Sequence, residues 1–162
     1  MKRPLVALSI ALFLPLLSFG QEAPPASQAV DSHHFPKAEY LMPSGEAKGK
    51  PQHVDGTLMF DPDKKDVAFL QTNGRSAVTI PYDAIKSITY EKATKPRYAE
   101  AVLLSPLFLL SPAKKHYLTF EYTDSTNVTQ YAIIHLDKTN ARQAVYCAEV
   151  QTGKKVERIE EK

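Results

Sequence analysis

The sequence predicts a mainly β domain, a small antiparallel barrel or sandwich of roughly six or seven strands, with one C-terminal α-helix. Three observations carry this expectation. Val67 to Leu70 and Ala77 to Ile80 are β-rich runs joined across Asn73-Gly74, a pair that accepts the backbone angles of a tight hairpin. His116 to Tyr122 and Val128 to Leu136 alternate in polarity on either side of Asp124-Ser125-Thr126-Asn127. From Ala141 the apolar period changes, because Ala141, Ala144, Val145 and Ala148 recur at the spacing of one helix face.

The remaining elements follow in order. Thr57 to Phe60 reads as a strand that ends at the turn cluster Asp61-Pro62-Asp63, where proline presets its own backbone angle. Val78 and Ile80 share one face of their strand, with Ala77 and Thr79 on the other. Pro81-Tyr82-Asp83 makes a corner, and Ile85, Ile88 and Tyr90 describe a bend passing into a strand that ends near Lys92. In the second hairpin Leu118, Phe120 and Tyr122 line up on one face, as do Ala132, Ile134 and Leu136. Asn140 is the expected N-cap of the helix, with Gln143 three residues later and Gly153 as its stop. The helix covers the sheet through small residues, and the charged end Val156 to Lys162 is expected to fray.

Lys2 and Arg3, the apolar run Leu5 to Leu17 and the small residues around Ser18-Phe19-Gly20 form a secretory signal pattern, with cleavage expected before Gln21. The run is shorter than the roughly 20 apolar residues that a membrane span needs. No Cys follows it, which disfavours a lipid anchor. The organisation expected is a signal segment at 1–20, a flexible Pro-rich lead-in at 21–52, a folded domain at 53–158 and a charged tail at 159–162. Phe35, Tyr40, Leu41 and Met42 are the lead-in residues able to dock on the domain. Localisation is therefore expected to be periplasmic or extracellular.

The net charge of +2 resides in Lys2 and Arg3, since 20 Lys+Arg face 18 Asp+Glu in the whole chain. A mature chain is formally neutral, so no domain-wide basic field gathers nucleic acid, and no nucleic-acid partner is expected. The single cysteine, Cys147, rules out an intrachain disulfide and lies in the helical pattern, where a buried, inert thiol is expected. Stability must then come from a hydrophobic core.

The stretch Val78-Thr79-Ile80-Pro81-Tyr82-Asp83-Ala84-Ile85-Lys86-Ser87-Ile88-Thr89-Tyr90, set within a hairpin-rich order closed by one helix, resembles PH-like domains of the GRAM or bacterial PH type. The resemblance spans Gly56 to Gly153. It implies a non-enzymatic module that binds lipids, peptides or proteins. The chain departs from the pattern at Ala101 to Leu110, where a regular fifth strand is expected and an apolar stretch divided by Pro106 stands instead. Lys64 and Lys65 occupy the turn that some family members use for phosphoinositides, but Asp61, Asp63 and Asp66 surround them and oppose phosphate capture.

That apolar stretch is too short to cross a bilayer and is bracketed by cations. It marks a candidate contact segment comprising Lys95, Arg97, Tyr98, Leu103, Leu107, Phe108, Lys114 and Lys115. The expected partner is a protein or a membrane surface. The rival reading is an assembly subunit that packs through 101–110, as a homo-oligomer or against another chain.

Catalytic, metal and cofactor signals are weak, and no such site is assigned. His33-His34 are adjacent and so poorly placed for one ion, while His53, His116 and His135 lack zinc-ligand spacing. Gly45 to Lys50 is one residue short of a phosphate loop, and Pro51 stands where Ser or Thr is required. Asn127-Val128-Thr129 fits a glycosylation sequon, yet asparagine is expected at that turn for conformational reasons.

Overall fold

The computed structural model describes residues 33–42, 53–99 and 113–160. The signal segment 1–20, the phosphate-loop-like stretch 45–50, the apolar stretch 101–110 with Leu103, Leu107 and Phe108, and residues 161–162 lie outside the described residues. Among the described residues eight strands and one α-helix follow in chain order: β1 (His34–Leu41), β2 (His53–Asp61), β3 (Asp66–Gln71), β4 (Ser76–Pro81), β5 (Ile85–Ala93), β6 (Lys115–Thr123), β7 (Thr129–Leu136), α1 (Ala141–Thr152) and β8 (Val156–Glu160). The strands form one sheet in the order β4-β3-β2-β1-β7-β6-β5-β8, all antiparallel except the β5–β8 pair. The fold is mainly β, as expected. Because β4 and β8 are edges, the barrel alternative does not hold.

One short connection sets the shape of the sheet. β4 and β5 are joined by a single 3-10 turn, Tyr82–Ala84. In a flat sheet six strand spacings would hold them about 29 Å apart. Four peptide steps reach only about 14 Å. The sheet therefore curls until its two halves face each other, as a sandwich does. Its core draws on both halves, with Leu58, Phe60, Phe69 and Ile80 from one and Ile88, Leu118, Phe120 and Ile134 from the other. The rings of Phe60 and Phe120 lie 6.3 Å apart across that interior. Each such side chain stabilises the fold by about 1.5–3 kcal/mol through burial.

α1 adds Ala141, Ala144, Val145, Cys147 and Ala148 to the same core, and these small residues let its backbone come close to the sheet. Gly153 ends the helix in the left-handed conformation at φ 66°, as expected of a C-terminal stop. Asn140 is not the side-chain cap that its position predicts. Its Nδ2 instead donates to the Pro36 carbonyl at 2.7 Å, tying the helix start to β1. Burial pushes the Cys147 thiol up to about 11, which keeps it protonated.

Two expectations are corrected. The lead-in is not flexible throughout, because His34–Leu41 forms β1 between β2 and β7. Its apolar residues fail to alternate because the strand is bulged. Phe35 pairs with Leu58 but Ala38 with Gly56, so β1 carries one extra residue and Phe35, Ala38 and Tyr40 become its positions in the main core, while Leu41 is buried in a second, smaller cluster. The C-terminal end does not fray either, since Val156–Glu160 pairs in parallel with β5. Glu149 of α1 holds it by accepting the Val156 N–H at 3.1 Å and Arg158 Nη2 at 2.8 Å. These two strands raise the count above the six or seven expected.

At Gly56 the neighbouring strand comes unusually close. A Cβ there would lie 2.0 Å from the Leu70 carbonyl oxygen and 2.7 Å from Phe69 Cε1. Gly56→Ala should therefore overpack the β2–β3 contact and cost about 1–3 kcal/mol. In thermal denaturation we expect Tm to fall by at least about 4 °C; a variant melting with the parent would show that β3 moves away freely.

Candidate functional site: a lysine-lined groove at one sheet end

The β5–β6 hairpin places the predicted cations at one end of the sheet. Ala93 pairs with Lys115 and Lys92 with His116, so Lys95 leaves one strand beside the point where Lys114 and Lys115 enter the next. The start of β1 and the end of β7 reach the same region. Glu39 lies opposite His135, which brings Lys37 near Asp137 and Lys138. The result is a groove of about 560 Å³ lined by Lys37, Lys114, Lys115 and Lys138, with Glu39, Asp55 and Asp137 as its carboxylates and His116 and His135 between them.

Asp137 and Glu39 are tied into local structure. Asp137 accepts the Thr139 N–H at 2.9 Å and its hydroxyl at 2.5 Å. Those bonds, together with the charges of Lys37 and His135, hold its carboxyl below the usual range. Glu39 Oε2 sits 3.1 Å from His135 Nδ1. Tyr117 stands directly across from His135, and burial followed by the charge of Glu39 pushes its phenol up to about 12. Asp55, Glu39, His135, Tyr117 and Glu91 thus form a row across five strands on the face away from the main core.

Of the predicted contact residues, Lys114 and Lys115 line the groove and Lys95 is exposed nearby. Arg97 is bound to the sheet. Its N–H donates to the buried Glu91 at 2.8 Å, and its guanidinium lies 3.7 Å from Glu91 and 3.9 Å from Glu157. Tyr98 stacks on Tyr131 with centroids 4.8 Å apart, at the margin of a second apolar cluster of Leu41, Ala99, Tyr117 and Ile133. Leu103, Leu107 and Phe108 lie outside the described residues. Lys37 and Lys138 were missed because they stand far apart in sequence and only the β1–β7 register brings them together.

The histidines go separate ways. His33 is 2.8 Å from Gln151 of α1, whereas His34 is exposed on β1. His116 Nδ1 is 2.6 Å from the Tyr90 hydroxyl, and the rings of these two residues are stacked with centroids 6.0 Å apart. Among the described residues no group of three His, Cys, Asp or Glu side chains is placed to hold a metal. Asn127 has φ 63° in its turn, so the conformational reason for asparagine there holds. No protein-family model matches the chain, and no curated protein matches it.

Two outcomes follow from this geometry. Arg97→Met leaves the Glu91 carboxylate buried without its guanidinium, which should cost about 1–2 kcal/mol, below the range for a fully buried pair because Arg97 is half exposed. Its melting temperature should fall by roughly 4–8 °C, and an unchanged value would mean that the neighbouring backbone alone satisfies Glu91. Burial and then Lys92 lower the pKa of His116 below its ordinary 6.5. The folded state thus favours the neutral ring, so this contribution is complete above pH 6.5 and is lost as pH falls through that value towards the folded pKa. Urea midpoints at pH 7.5 and 5.5 should converge in His116→Gln relative to the parent; equal acid sensitivity of the two proteins would overturn the assignment.

Proposed function

We propose that the mature chain is an exported, non-enzymatic binding module of PH-like architecture that docks on an anionic envelope surface through the end of the β5–β6 hairpin. The observation that carries this reading is the convergence of Lys37, Lys114, Lys115 and Lys138 on one groove, in a chain whose charge beyond Lys2 and Arg3 is balanced. Near an anionic surface each lysine contributes about 1 kcal/mol, and the attraction decays within a Debye length. The apolar run 101–110 belongs to the same hairpin connection and supplies the apolar half of such a contact. Lys95, Arg97 and Tyr98 flank that connection on its other side.

The PH-like part of the proposal draws on arrangement. Two antiparallel sets, β2–β4 and β5–β7, precede one closing helix over the span of the resemblance, and β1 and β8 are additions to it. Export draws on the basic and apolar pattern of residues 1–20.

The test is flotation of the chain beginning at Gln21 with vesicles of zwitterionic lipid alone or with an anionic phospholipid mixed in. We expect recovery with the anionic vesicles, a loss of at least about tenfold in affinity for Lys114→Glu/Lys115→Glu, and suppression by high salt. Failure of the parent to float with anionic vesicles would overturn the reading.

A further inference from the structure

We infer that Lys37 is a contact residue of this anion-binding surface, held in the groove by the bulge of β1; this rests on the binding reading above. Lys37 adopts φ 58°, a left-handed conformation that a side chain with a Cβ disfavours. Among the described residues the other non-glycine positions with positive φ are Lys65 and Asn127, and both lie in turns between strands. Lys37 lies inside a strand, where no chain reversal asks for it.

The surroundings enforce the conformation. Phe35 and Ala38 are 3% and 1% exposed on either side of the bulge, so relaxing it would unseat two core residues. The Pro36 carbonyl is fixed by Asn140 at the start of α1. Lys37 itself is exposed, so packing gives no reason for a long side chain there. Glycine would meet the backbone demand with less strain. What lysine adds is its charge, delivered beside Asp137 to a groove that holds Lys114, Lys115 and Lys138 together with the carboxylates of Glu39 and Asp55, so that Lys37 keeps the cations one ahead of the carboxylates there. Bulges re-aim side chains in this way beside functional sites.

Lys37→Gly and Lys37→Arg separate charge from conformation. With anionic vesicles we expect Lys37→Gly to lose about fivefold in affinity while its Tm stays level or rises, and Lys37→Arg to bind as the parent does. Undiminished binding by Lys37→Gly, with the parent still binding, would overturn this inference and leave the broader reading intact. A fall of more than about 5 °C in the Tm of Lys37→Gly would mark the lysine as a structural support and also overturn it. A parent that ignores anionic vesicles would bring down both.

Discussion

The corner at Tyr82–Ala84 constrains the curvature of the whole sheet. A sheet can keep β4 and β5 as distant members of its strand order and still join them by one short turn only if it curls strongly. Curling turns one face of every strand inwards, and it is this shared interior that brings Phe60 against Phe120 and seats Ile80 in the same cluster as Ile88. α1 then closes that interior with alanines, a valine and a cysteine, side chains short enough to leave room for the aromatic residues beneath. A core of this kind compensates for the lack of disulfides, which a single cysteine cannot supply.

The same curl brings residues of low sequence proximity to the rim. Pro36 and Asn140 are 104 residues apart, yet they share the hydrogen bond that fixes the bulge of β1 to the start of α1. On one side of that bulge are core residues, and on the other is the lysine-lined groove. Packing and surface charge are thus set by one backbone irregularity, and an alteration of the core near Phe35 or Ala38 would be felt in the groove. Arg97 and Tyr98 play a complementary part, fastening the start of the long β5–β6 connection to Glu91 and Tyr131.

What the sequence disclosed depended on whether a local rule governed each element. Both hairpins, the corner and the helix were legible because turn chemistry and apolar period act over a few residues. β1 was not, since Pro36 and Lys37 break the alternation that identifies a strand, and only pairing with Gly56 and Leu58 explains the interruption. β8 was hidden for another reason. Its residues Glu157, Arg158 and Glu160 look like a solvated tail, and pairing with β5 and the anchoring carboxylate of Glu149 come from outside the segment. In the candidate site, Lys114 and Lys115 stood out by adjacency to the apolar stretch. Lys37 and Lys138 carry no such local mark.

β8 has a consequence for the edge of the sheet. β5 contains Ile85, Ile88, Thr89 and Tyr90, a run rich in residues that favour strands, and its outer row of backbone groups is covered by β8. A polypeptide ending at Gly153 would leave that row open as a template for strands of other molecules. The outermost position is instead taken by a short strand bearing alternating charges. The backbone row of β5 that would otherwise be open is thus paired within the sheet by a strand of five residues.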